Sequence, residues 1–206
     1  MVYGGYHRVK RLRFYGPHQV QQVKSRGRLR TDTLYFTVPS FQGFDYAGQV
    51  YSSDSLKGKT VLIHVLDAHQ FDSLPKQIIY AAAEALDAFP DLRFVTVFVP
   101  GFPASFRFPF GLTPRLQGDS LRWHFVRMDS VACQSLLHQG LFARADSSAP
   151  QFDPASLVLL DRQGHIRGYY SPVFQTDLQN MKKEILHLFR EYELAFKTHR
   201  LVRVVD

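Results

Sequence analysis

Hydrophobic and polar positions alternate over residues 29–38, where Thr33, Tyr35 and Thr37 interleave with Leu34, Phe36 and Val38. A repeat of two predicts a half-buried strand. Val20 to Val23, then Ser25-Arg26-Gly27, supply a preceding strand and a glycine turn, and Pro39 ends the pair. Residues 41–44 and 49–51 flank Asp45 to Gly48 as a second predicted hairpin, followed by a short polar connection over 52–59. The compact run TVLIHV at 60–65 has the β-branched, uninterrupted character of a central strand buried on both faces. After a loop over 66–74, Pro75 opens a predicted helix to Phe89, with Ile78, Ala82, Leu86 and Phe89 on one face. Residues 93–99 read as another buried strand, and 121–128 as a third. Asp129 or Ser130 caps a predicted short helix through Leu137, with Gly140 at its end. Residues 156–160 and 165–170 flank Asp161-Arg162-Gln163-Gly164 as a hairpin. Thr176-x-x-Gln179 reads as a capping box. It opens the longest helix, where Leu178, Met181, Ile185, Leu188, Tyr192 and Phe196 recur every three or four positions. Residues 100–119 and 143–154 have no clean period and read as long loops, and 201–205 as an edge contact.

Hairpins, a βαβ unit, a further αβ unit, an antiparallel pair and a final helix make an α/β order. It predicts a thioredoxin-like fold: a central mixed β-sheet flanked by helices, with an N-terminal β-hairpin extension. Length favours one domain with extensions: a basic N-terminal arm over 1–31, the domain over 32–200, and a tail over 201–206.

Charge sharpens this division. Eight Lys or Arg and no acid fall within residues 1–31, against 17 basic and 18 acidic residues in the rest, so the net charge of +7 belongs to the arm. A nucleic-acid groove across the body is not expected; the arm itself could touch phosphates of lipid or nucleic acid, and the plainer reading is a solvated or membrane-proximal strand pair. No apolar run reaches the length of a membrane helix, and residues 1–13 lack the apolar core of a signal peptide.

Cys133 is the only cysteine, which excludes a Cys-x-x-Cys pair, an internal disulfide and a cysteine-rich zinc cluster. It falls on the short helix after Met128, where a small buried apolar role and a nucleophilic thiol near a helix N-terminus are both open. His64 and His124, inside predicted strands, read as core histidines. The loop at 67–75 collects Asp67, His69 and Asp72 at the end of a central strand, a place favoured for ligands, and Asp153 can approach it. Carboxylates with an imidazole could hold Zn²⁺ or a hard cation; alternatively Asp72 or Ser73 only caps the helix and His69 is a solvated loop residue. Phe102, Phe106, Phe108 and Phe110, with Arg107 and Arg115, form either a contact surface for a partner or membrane or a cover over the sheet edge.

In order and spacing, RLRFYGP (11–17), DTLYFTVPSFQGFDYAGQVYSSDSLKGKTVLIHV (32–65), WHFV (123–126) and LVLLDRQGHIRGYY (157–170) are similar to one known pattern. The chain resembles the Sco/SenC family of thioredoxin-fold, copper-handling proteins of respiratory oxidase assembly, in a form common in Bacteroidetes-like bacteria. The resemblance implies copper as cofactor, held by Cys-x-x-x-Cys-Pro after the central strand and by a histidine before the strand that ends in Asp-x-x-Gly. Aligned on Pro75, Gln70 and Leu74 stand where those cysteines belong, and Asp153 falls near the histidine position. Neither amide nor alkyl group replaces a thiolate for Cu(I) or for thiol exchange, so no cofactor is expected here. The resemblance then implies a non-catalytic scaffold with a protein partner, outside the inner membrane of its bacterial relatives. Two other readings stand beside it: a metal-binding protein with the altered His69, Asp67, Asp72 and Asp153 site, and a thiol enzyme using Cys133 alone.

Overall fold

The computed structural model describes residues 11–25, 27–45, 47–66, 84–98, 100, 122–142, 157–171 and 174–203. The seven-residue run predicted as a central strand is β5, Thr60–Leu66, with every residue buried. On one side it pairs in parallel with β6, Leu92–Phe98, which pairs in parallel with β7, Trp123–Arg127. On the other it pairs antiparallel with β8, Leu157–Leu160, and β8 with β9, Ile166–Tyr170. The second predicted hairpin, β3 Gln42–Phe44 and β4 Val50–Ser52, joins antiparallel beyond β7. The sheet order is β4-β3-β7-β6-β5-β8-β9.

Strand alternation sends side chains to two cores. Val61, Ile63, Val65, Val95, Val97, Val126 and Val158 face helix α1, Ser130–Ser135, together with Leu136 and Leu141. Leu62, Phe94, Trp123, Leu157 and Leu159 face α2, Gln175–Arg203, through Leu178, Met181, Ile185 and Leu188. The end of a further helix, 84–88, adds Ala85 and Leu86 to this second core.

Local chemistry accounts for most boundaries and for several departures from the sequence pattern. Asp129 caps α1 by accepting from the Ala132 N–H at 2.8 Å. The helix then widens into a π turn, Leu136–Gly140, in place of a plain end near Leu137. Gly164 closes the β8–β9 turn at φ +82°, a conformation in which a side chain would be strained. Thr176 lies inside α2 and is not its cap: the helix already begins at Gln175, and the Asp177 carboxylate accepts from Ser171 N–H at 3.0 Å. Residues 201–203 continue α2, so the predicted edge contact there is helix. Phe196 is 69% exposed, because the sheet surface under α2 ends before it.

The first hairpin, β1 His18–Ser25 and β2 Arg28–Tyr35, forms a separate two-stranded sheet. The half-buried strand predicted over 29–38 is corrected for 29–35; beyond the strand's end, Phe36 and Val38 do pack against the first core while Thr37 is exposed. Of β2, only Thr33 is even partly buried. Its register explains why: cross-strand partners share a face, and Val20 lies opposite Thr33, Val23 opposite Arg30 and Lys24 opposite Leu29. Each face therefore mixes apolar with polar or basic groups, and neither is a surface to bury.

Candidate functional site

In parallel α/β sheets the chemistry gathers beyond the carboxyl ends of the strands. For this chain that is the end of β5 at Leu66. The residues expected there, Asp67, His69, Gln70, Asp72 and Leu74, lie outside the described residues, as do Asp153 and the phenylalanine loop with Arg107 and Arg115. Among the described residues no three His, Cys, Asp or Glu side chains come together as a metal site.

The strand that leads up to those residues is defined. His64 is buried on the α2 side of β5, in register with Thr96 of β6 and Leu157 of β8. Its ring lies 6.4 Å from that of Phe94. Trp123 Nε1–H donates to Thr96 Oγ1 at 3.1 Å, so the one tryptophan has a partner for its polar edge. Burial pushes the His64 imidazole down to about 4, so it is neutral near pH 7. It is the core histidine that the strand pattern predicted. His124 is on the other face, 5.2 Å ring to ring from Tyr51, whose hydroxyl burial pushes up to about 12.

Cys133 is 1% exposed, in the α1-side core. Of the two roles open to it, the structure bears out the buried apolar one.

Among the described residues, two cavities elsewhere are well formed. One of about 140 Å³ opens at the start of β5, floored by Val61, Ile63, Leu160, Phe41 and Leu56 and rimmed by Lys57, Lys59 and Arg162. Its cations are already matched: Lys57 to Asp54 at 2.9 Å, Arg162 to Asp91 at 3.1 Å and Lys59 to Asp91 at 3.9 Å. The second, about 370 Å³, lies between 39–42 and the α1 segment, against Met128, Ala132 and Leu136.

Among the described residues, the most connected polar cluster was not legible as a site in the sequence. Arg167 is 4% exposed and sits at a bulge: Leu159 pairs with Gly168 but Leu160 with Ile166, leaving Arg167 as the extra residue. Its Nη1 donates to Asp161 Oδ2 at 3.0 Å, and its Nη2 to Glu191 Oε2 at 2.9 Å and to Leu12 O at 3.0 Å. Its Nε donates to Arg13 O at 3.1 Å. Glu191 Oε1 accepts from Leu12 N–H at 2.6 Å. His165 Nδ1 lies 3.1 Å from the same Asp161 oxygen. The guanidinium also stacks 4.1 Å from the Phe14 ring, which stacks on Tyr35. Four of the five N–H donors of Arg167 have these partners, so the cluster is a clamp that fastens residues 12–15 across β9 and α2. It is not an open binding site. The only sequence signal for it was a lone charge between Ile166 and Gly168 in an otherwise uncharged strand.

No family model matches the chain, and no curated protein matches it. Solved structures do. A SCO1/SenC family lipoprotein from Bacillus anthracis is similar at TM-score 0.54 and 16% identity, over 74% of this chain and 94% of that one. Copper-bound ScoI from Arabidopsis thaliana gives 0.52 and 14%, over 76% and 100%. BsSco, described as a member of the Sco family of cytochrome c oxidase assembly proteins with a disulfide switch, gives 0.52 and 15%, over 73% and 91%. Sheet order, the two helical layers and these likenesses define a thioredoxin-like α/β protein. Its fold is the one seen in Sco/SenC family proteins.

Proposed function

We propose that this chain is a Sco/SenC-like thioredoxin-fold protein without the copper and thiol centre, acting through a protein partner in a role tied to respiratory oxidase assembly and copper homeostasis. One observation carries the reading: the single cysteine of the chain, Cys133, is enclosed in the core after β7 and is not on the loop after β5. A disulfide switch of the kind described for BsSco needs two thiols. Cu(I) prefers soft sulfur donors, and one buried sulfur among valines and leucines does not supply a site for it. The donor set does not fit copper, and no chemical step is assigned to the metal. What remains is a scaffold whose functional asset is surface, and the oxidase connection rests on shared fold alone.

Calorimetric titration of the full chain with Cu(I), Cu(II) and Zn²⁺, with bound metal counted afterwards, tests the reading. The expected result is no stoichiometric binding in the sub-micromolar range. Tight one-to-one copper binding would overturn it; tight Zn²⁺ binding abolished by His69→Ala would replace it with a rebuilt His/Asp site.

A further inference from the structure

We infer that the β1–β2 ribbon is a peripheral anchor for an anionic lipid surface. Two-stranded sheets are marginal in water without a packed face, yet this ribbon of eight residues per strand is exposed on both faces. Its length is about 27 Å at the usual rise per residue. Its root is fixed: Phe36 N–H donates to Pro17 O at 3.1 Å, and Tyr35 stacks on Phe14, which lies over the clamped Arg167. Among the described residues, no hydrogen bond or ring contact of this kind ties its far end to the body.

The chemistry of that end selects the occupant. Lys24, Arg26, Arg28 and Arg30 fall within seven residues, and the nearest acid, Asp32, pairs with Gln21 further down the ribbon. Charge complementarity therefore calls for an anionic partner. Set among these cations are apolar groups on both faces. Leu29, opposite Lys24, is 70% exposed, and Val23, opposite Arg30, is also exposed. Phosphates of a nucleic acid offer nothing to Leu29 or Val23, and residues 19–34 contain no aromatic ring to stack on a base. A second copy paired edge to edge would set the same cations against each other. A bilayer interface satisfies both features together: cations sit at the headgroup phosphates while short apolar side chains enter the acyl boundary. Attachment of this kind, through surface charge and shallow insertion of short apolar side chains, is peripheral and reversible. The inference is independent of whether the chain binds copper.

Co-sedimentation of the full chain with phosphatidylcholine vesicles containing about one-third phosphatidylserine tests it. Binding is expected to these vesicles, not to pure phosphatidylcholine, and to fall as salt rises from about 0.1 M to about 0.5 M. Arg28→Gln with Arg30→Gln should weaken partitioning about 30-fold, and Leu29→Ser should weaken it further at constant charge. Lys183→Gln with Arg190→Gln, which removes the same charge from the exposed face of α2, should leave binding within about twofold. All five positions are exposed, so the variants keep the fold of the parent. Equal loss in both double variants, equal binding to neutral vesicles, or tighter binding to a DNA duplex at the same salt would overturn the assignment.

Discussion

His64 shows how a single buried group writes a pH dependence into the whole chain. Burial lowers its imidazole from 6.5 to about 4. Above pH 6.5 both folded and unfolded chains hold it neutral. Below that, the unfolded chain takes up a proton that the folded one refuses. The stability this residue permits is therefore complete above about pH 6.5 and is lost as pH falls toward 4. The loss between about pH 7 and pH 4.5 should approach about 2 kcal/mol for this residue. Urea unfolding at the two pH values should show a smaller difference in His64→Leu than in the parent. An identical difference would place the pH sensitivity in other groups.

Among the elements, the strap over residues 12–15 depends most on one side chain. It adds only an isolated bridge to the sheet, Tyr15 to Ile166, with Tyr15 N–H donating to Ile166 O at 3.0 Å. Arg167 adds a further hold by tying the Leu12 and Arg13 carbonyls to Asp161 and Glu191, beside the Leu12 N–H bond to Glu191 and the packing of Leu12 and Tyr15 on the two cores. Arg167→Ala leaves two poorly hydrated carboxylates without their cation, a change that costs about 3–5 kcal/mol when a buried pair is broken. Denaturant unfolding should show that loss. A change below about 1 kcal/mol would mean that water replaces the guanidinium at no great cost. The same clamp positions the ribbon root, because Phe14 lies between Arg167 and Tyr35. Helix α2 contributes differently. Its stripe from Leu178 to Leu188 is buried by the sheet, whereas Leu194 and Phe196 pass beyond it and are exposed.

For the molecule as a whole, stability is distributed from the middle of the sheet outward. β5, paired on both sides and covered by both helical layers, should exchange its amide hydrogens only through global opening. The ribbon should exchange through local opening, faster by orders of magnitude. Hydrogen exchange followed by mass spectrometry checks this, and ribbon protection equal to that of β5 would mean that the two unfold together. The strands β5, β6 and β8, the Asp161 to Gly164 turn and most of α2 were readable from the sequence. Their signals are local: β-branched runs, a turn glycine, and an apolar repeat of three or four. The absence of a cysteine pair was equally fixed, since counting settles it. Tertiary structure alone decided which alternating strand would be buried, because alternation states a period and not what lies opposite. It also decided that Cys133 is core and that Arg167, Asp161 and Glu191 meet. Those three are separated by as many as 30 residues, and only the β9 bulge and the passage of α2 beneath it bring their charges within hydrogen-bond reach.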